Sequence, residues 1–228
     1  METVVITGAN RGIGLELTRR FAANGNIVYA GCRAPEQAED LFKLAETSHV
    51  HICTLDVTTA KNVEALSARL DGQTVDILIN NAGVMGGDHQ SVSDMDYDAW
   101  RQTLEVNTLA PFRLATALRP NLSKADRPRI ATISSQMGSL SRKSRGAFAY
   151  RSSKAAVNKT MQVLAAEFEQ DGIIVCPIHP GWVRTDMGGP AAEISVQESA
   201  DGLFNLISGL RMEQSGRFWT WNGAEHAW

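Results

Sequence analysis

Apolar, strand-like runs alternate with segments of helical periodicity almost from end to end of this chain, and few folds accept that alternation. Strands are predicted at Thr3–Thr7, Ile27–Cys32, Val50–Leu55, Val75–Asn80, Arg129–Ser134, Ile173–Ile178 and Arg217–Trp221. Helices are predicted at Ile13–Ala23, Glu36–Glu46, Lys61–Leu70, Tyr97–Leu118, Phe148–Gln170 and Val196–Leu210. Strands separated by crossover helices pair in parallel, and the helices then cover both faces of the sheet. Val75-Asp76-Ile77-Leu78-Ile79 and Ile173-Ile174-Val175-Cys176-Pro177-Ile178 read as near-continuous apolar runs, as burial on both faces demands. Asn24-Gly25-Asn26 and Asp171-Gly172 close helices ahead of the next strand. Pro111 lies inside the long Tyr97–Leu118 segment, lacks an N–H for the helical ladder, and is expected to bend or break it. No repeat or linker divides the 228 residues. The expected architecture is therefore α/β: one domain over residues 1–228, with a doubly wound, mostly parallel seven-stranded sheet and helices on both faces.

Length and charge remove several classes of function. A chain of this size can bury about three quarters of its unfolded surface, enough for one sizeable core. Acidic residues number 25 against 22 basic ones, so there is no electrostatic footprint for nucleic acid. No apolar run approaches the ~20 residues of a membrane helix. A strand begins at Thr3, leaving no room for a signal peptide, so a cytoplasmic location is expected. Cys32, Cys53 and Cys176 are odd in number and widely spaced, and read as reduced thiols near strand ends. His49, His51, His89 and His226 form no metal-like spacing and His179 ends a strand, so no metal is expected.

Two motifs carry the chemistry. Thr7-Gly8-Ala9-Asn10-Arg11-Gly12-Ile13-Gly14 follows the apolar run Val4-Val5-Ile6 directly, as a phosphate-binding strand-turn-helix should. Glycines permit the tight turn and let backbone N–H groups approach a pyrophosphate at the helix N-terminus. In Tyr150-Arg-Ser-Ser-Lys154 a phenol and an ammonium lie four residues apart, on one face if the segment is helical. Dinucleotide sites for NAD place an acid at the end of the second strand, about 20 residues past the glycines. Here that position is Cys32-Arg33, and Arg11 in the glycine turn adds a second guanidinium. Such a pair would hold a ribose 2′-phosphate through charge-assisted bonds, which favours NADP(H) over NAD(H). Asp56, after the third strand, is placed to meet an adenine amino group or, alternatively, to cap the next helix. Asn80-Asn81-Ala82-Gly83 ends the fourth strand at the edge where open α/β sheets bind ligands.

Together with Asn107, Ser134-Ser135 and Pro180-Gly181-Trp182-Val183-Arg184-Thr185, these motifs resemble the short-chain dehydrogenase/reductase family, in family order and across nearly the whole chain. His179-Pro-Gly-Trp-Val and the ending Gly216-Arg-Phe-Trp look most like its C-factor and sniffer-type carbonyl reductase branch. The resemblance implies a Rossmann fold, reversible NADPH-dependent reduction of an aldehyde or ketone, and a homodimer or homotetramer. It implies Tyr150 as general acid in reduction and base in oxidation, with Lys154 holding the nicotinamide ribose and lowering the phenol's pKa. Ser135 would hydrogen-bond the substrate oxygen, and Asn107 would position a water between Lys154 and solvent. Cofactor contacts would come from Gly8, Asn10, Arg11, Gly12, Ile13, Gly14, Arg33, Asp56, Val57, Asn81, Ala82, Gly83, Tyr150, Lys154, Pro180, Gly181, Val183 and Thr185. One departure stands out: the family's serine commonly precedes the tyrosine by thirteen positions, where this chain has Met137. Ser135 ends the fifth strand and is preferred; Ser139 is its rival.

Magnitudes allow this chemistry without making it automatic. Bringing a phenol from pKa ~10 to ~7 takes roughly 4 kcal/mol in favour of phenolate. One cation ~5 Å away at an effective dielectric of ~20 supplies about 3 kcal/mol, and burial opposes it. The substrate pocket is expected behind Gly83, Ser135 and Thr185, with Met85, Met137, Trp182 and Met187 as an apolar wall and Arg142-Lys143-Ser144-Arg145 as a solvated run at its mouth. Trp219, Trp221 and Trp228 suggest either an interface or a buried last strand. Two other functions compete: a dinucleotide-binding signalling protein, which the C-factor likeness allows, and a sugar-nucleotide epimerase, which wants another glycine spacing and a larger C-terminal region.

Overall fold

The computed structural model describes residues 1–228. Seven strands form one sheet: β1 (Thr3–Thr7), β2 (Ile27–Cys32), β3 (Val50–Thr54), β4 (Ile77–Asn80), β5 (Arg129–Ile133), β6 (Ile174–His179) and β7 (Trp219–Thr220). Their order is β3-β2-β1-β4-β5-β6-β7 and every pairing is parallel. The helices are α1 (Gly12–Ala23), α2 (Glu39–Thr47), α3 (Ala60–Arg69), α4 (Tyr97–Leu104), α5 (Ala110–Ala117), α6 (Arg119–Leu122), α7 (Phe148–Phe168) and α8 (Val196–Gly209).

Each face of the sheet owns a core, because alternate strand residues point to opposite sides. Val4 and Ile6 of β1 pack with Leu17 and Phe21 of α1 and Leu203 and Ile207 of α8. Val5 and Leu78 pack on the other side with Leu114 of α5 and Val157, Met161 and Leu164 of α7. Phe21 and Phe204 meet edge-on at 4.9 Å, locking α1 to α8.

Three sequence expectations change in detail. The last strand shrinks to Trp219–Thr220, with Trp219 buried in the first core and the Trp228 ring against Phe218 at 5.8 Å. The tail tryptophans therefore serve the fold rather than an exposed patch. The helix predicted from Glu36 starts at Glu39 instead: Pro35–Gln37 is a separate 3-10 turn, and Ala38 (φ −102°, ψ 57°) interrupts the helical backbone between them. The long Tyr97–Leu118 segment does break: a π-helical turn at Glu105–Leu109 separates α4 from α5, and Pro111 sits in the first turn of α5. In a regular helix the Asn107 carbonyl would accept from the N–H at position 111, and proline has none.

Candidate active site

The strand order reverses between β1 and β4, and the chain leaves both at their carboxyl ends, opening a crevice in front of the sheet. The glycine turn forms one lip. Gly8 (φ +65°) and Gly12 (φ +54°) adopt left-handed backbone that disfavours a side chain. A Cβ on Gly14 would fall 2.2 Å from the Gly8 carbonyl oxygen, so the turn is closed tightly on itself. Asn81 braces it from β4: its Nδ2 donates to the carbonyls of Thr7 (2.9 Å) and Gly8 (3.1 Å). Thr7 Oγ1 accepts in return from the N–H groups of Asn81 and Ala82. Asn81 borders the crevice, but its amide is turned onto the glycine turn. α1 begins with no side-chain cap and no acid in its first turn, leaving its free N–H groups and positive dipole end at the crevice.

The cavity measures about 480 Å³, within the usual size range of small-molecule sites. It runs from Arg33, Asp56 and Val57 past Gly8, Asn10, Arg11, Gly12 and Ile13 to Ala82, Gly83, Tyr150, Lys154, Pro180 and Thr185. A phosphate-bearing dinucleotide fits this cradle: glycine backbone at the centre, no carboxylate at the end of β2, and guanidinium groups at one extremity. Arg33 is exposed and forms no ion pair, whereas Arg11 is ion-paired with Asp186 across the crevice. Burial works to raise the Asp56 carboxyl, but the Thr58 hydroxyl and N–H, with Arg33, outweigh it and hold it below the ordinary range. The N-cap of α3 is Thr59, so Asp56 closes its own turn with Thr58 instead of capping the helix.

At the other extremity the titratable groups are buried. Tyr150 and Lys154 are one turn apart on α7, with Lys154 Nζ 5.7 Å from the phenol ring centre. Nζ donates to the Ile133 carbonyl at 2.8 Å, and burial pushes the ammonium down to about 8. Burial raises the Tyr150 pKa; the Ser135 hydroxyl acts in the opposite sense, without a well-aligned hydrogen bond between the two groups. Ser135 caps the 3-10 turn Gln136–Gly138, its Oγ accepting from the Met137 N–H at 3.1 Å. That turn lies directly on α7, since a Cβ on Gly138 would come within 2.5 Å of the Lys154 backbone carbon. Ser139 turns elsewhere, its Oγ bonding the Ala227 carbonyl of the C-terminal tail. Ser134 is held by Asn158. Both donors of the Asn107 amide are used: Nδ2 donates to the Val84 carbonyl and Ser153 Oγ, and Oδ1 accepts from the Val84 N–H. Asn107 lies within the π-helical turn, and Pro111, four residues on, has no N–H to donate to its backbone carbonyl.

The third lip follows β6. Thr185, Asp186 and Met187 border the cavity, while Gly181 (φ +89°) packs on Ile194 and Trp221, and Val183 is buried against Ile194. Gly14, Gly181, Val183, Asn107 and Ser135 stand behind or beside the cavity wall rather than in it. Asp186 borders the cavity, as expected of the segment after Thr185, and Thr58, Gln102, Val106 and Val196 border it without having been singled out from sequence. Of these four only Thr58 carried a usable signal, its place directly after Val57. His179 ends β6, buried with Nδ1 unpartnered, and Arg142, Lys143 and Arg145 form an exposed run with no carboxylate partner. No group of three His, Cys, Asp or Glu side chains has metal-binding geometry, and no helix is long and apolar enough to cross a membrane.

A parallel sheet with its crevice at the strand reversal, a glycine turn and a buried tyrosine–lysine pair defines a nucleotide-dependent oxidoreductase architecture. The family model described as short chain dehydrogenase matches residues 2–194, and the chain belongs to that family. Among curated relatives, the C-signal of Myxococcus xanthus is 41% identical over 155 residues, 68% of this chain and 93% of that protein. Carbonyl reductase Sniffer of D. melanogaster superposes with a TM-score of 0.95 at 32% identity, covering all of both chains. The NADPH-bound carbonyl reductase from chicken fatty liver gives a TM-score of 0.93 at 34% identity, covering 100% of this chain and 99% of that one. The relatives are thus of the C-factor and sniffer kind.

Proposed function

We propose that this protein is an NADPH-dependent reductase of aldehydes or ketones, reversible in principle, with residues 1–228 acting as one dinucleotide-binding domain and its substrate site. The observation that supports it most is the burial of one phenol and one ammonium side by side at the end of a dinucleotide-shaped cavity. The glycine turn would bind the pyrophosphate through backbone N–H groups, with Asn10 and Ile13 beside it. Arg33 and Arg11 would meet the 2′-phosphate, Asp56 and Val57 the adenine, and Pro180 and Thr185 the nicotinamide end. Gly14, Asn81, Gly181 and Val183 would shape these contacts from behind. When bound, NADPH supplies the hydride.

Tyr150 gives its proton to the substrate oxygen, and its raised pKa keeps it a loaded donor at neutral pH. Burial makes the phenol less acidic, which suits reduction; the Lys154 charge offsets part of that and lets the proton leave. Ser135, beside the phenol, would hold the substrate oxygen. Ser139 is committed to the tail, which supports Ser135 over its rival. The Asn107 carbonyl would seat a water through which Lys154 exchanges protons with solvent. The protein is read as cytoplasmic, and as a homodimer or homotetramer, with Phe112 on α5 and Val163 on α7 exposed for contact.

The test is oxidation of NADPH and NADH with a panel of aldehydes, ketones and diketones, comparing wild type with Tyr150→Phe. Turnover is expected with NADPH and should fall by roughly 10²–10⁴-fold in the variant, the usual worth of a general acid, with NADPH affinity kept. The likeness to C-signal supports a second reading, a dinucleotide-binding signalling protein. Tight NADPH binding with no turnover on any carbonyl would favour it.

A further inference from the structure

The segment leaving the cavity after Gly83 and Val84 returns to the molecule at Gln90, and that side chain joins two elements that the reaction needs. Gln90 Nε2 donates to the carbonyls of Met85 and Gly87, both at 2.8 Å. Its Oε1 accepts from the backbone N–H of Tyr150 at 3.2 Å, 60 residues further along the chain. The amide orientation follows from its partners: two carbonyls need donors and one N–H needs an acceptor.

The Tyr150 N–H is otherwise an orphan. α7 starts from Ala147 in left-handed backbone (φ +50°) with no side-chain cap, so its first-turn N–H groups have no acceptor within the helix. The segment is also pressed against α7 just ahead of the tyrosine. Gly86 (φ +93°) sits so close that a Cβ would lie 2.7 Å from Thr103 Oγ1 and 3.0 Å from the Ala149 Cβ.

We propose that Gln90 is a positioning residue that ties the Met85–Gly87 segment, which follows the cavity-lining Gly83 and Val84, to the backbone of the acid. A shift of the segment that leaves the cavity at Val84 is then transmitted to Tyr150, because one amide holds both. The inference rests on the reading of Tyr150 as the proton donor, but its contact can be tested without turnover.

Two variants separate the halves of the amide. In Gln90→Glu an oxygen can still accept from Tyr150, while both carbonyls lose their donor. In Gln90→Met both halves are lost at similar volume. Amide hydrogen exchange at Tyr150 should be about tenfold faster in Gln90→Met and near wild type in Gln90→Glu, following the worth of one hydrogen bond. For the carbonyl substrate, Gln90→Glu should raise KM several-fold with kcat held, and Gln90→Met should raise KM and lower kcat about tenfold. NADPH affinity should stay within twofold in both. Unchanged Tyr150 exchange in Gln90→Met, or parallel losses in both variants that track thermal stability and NADPH affinity, would overturn the proposal. Absence of carbonyl turnover in the wild type would defeat the reductase reading, and exchange at Tyr150 would still decide the Gln90 contact.

Discussion

The two ends of the cavity treat charge in opposite ways. At Arg33, and along the rim where Arg11 meets Asp186, the charged groups stand in water; the Arg11 and Asp186 side chains are 68% and 78% exposed. At the other end Tyr150 and Lys154 are 8% and 5% exposed, and burial drives the phenol up and the ammonium down, each toward its neutral form. Two charges 4 Å apart interact by about 1 kcal/mol in bulk water and about 4 kcal/mol at an effective dielectric of ~20. In the proposed reaction exposed charge would adjust which dinucleotide is preferred, in small and salt-sensitive steps. Buried charge would decide whether a proton moves at all.

Removing the buried charge should have the largest effect. Lys154→Met is expected to lower turnover roughly 10²–10³-fold, within the range for acid–base groups. It should also change how stability depends on pH. The folded ammonium titrates near 8 against an ordinary 10.5, so between those values the unfolded chain binds a proton that the folded one does not. Wild-type stability should therefore rise as pH climbs from 8 to 10.5, and the penalty should be fully present below 8. Chemical denaturation of both proteins across that window should show the Lys154 slope only in wild type. Equal slopes would mean that the buried end is wetter than the structure indicates.

Gly14→Ala tests the glycine turn between the two ends, where no charge is involved. The new methyl would collide with the Gly8 carbonyl, and overpacking of this kind costs ~1–3 kcal/mol. NADPH and NADH should both bind at least about tenfold more weakly, the equivalent of about 1.4 kcal/mol. At the exposed end, Arg33→Ala should weaken NADPH about tenfold and NADH hardly at all, with the gap closing as salt is added. Asp186→Asn should be the smallest effect, because an exposed ion pair is worth ~0.2–1 kcal/mol. Freed from Asp186, Arg11 should tighten NADPH about twofold and leave NADH unchanged. Titrations monitored by nicotinamide fluorescence would measure all three, and a larger change at Asp186 than at Arg33 would invert the comparison.

The same division runs through what was readable beforehand. β1, β2 and β3 and the helices α1, α3 and α7 fall within a residue or two of expectation, because a strand or helix announces itself by local periodicity. The helix break near Pro111 was legible too, since the missing N–H is a property of one residue. Its form, a π-helical turn centred on Asn107, was not, because the Asn107 amide is held by Val84 and Ser153, which are distant in sequence. Arg11 was legible as a cation in a glycine turn, but its ion pair with Asp186 lies 175 residues away.

Sequence alone determined the parallel α/β sheet, the glycine turn at the end of the first strand, and a phenol and an ammonium on one face of one helix. Each of these follows from spacings of a few residues, which covalent geometry and helical pitch translate directly into direction. Tertiary structure decided that Asn81 braces the turn, that Ser139 is taken by the tail, and that Gln90 reaches the Tyr150 backbone. Those outcomes depend on where irregular loops end up after folding, and no periodicity in a loop records which backbone group, tens of residues away, will need a partner.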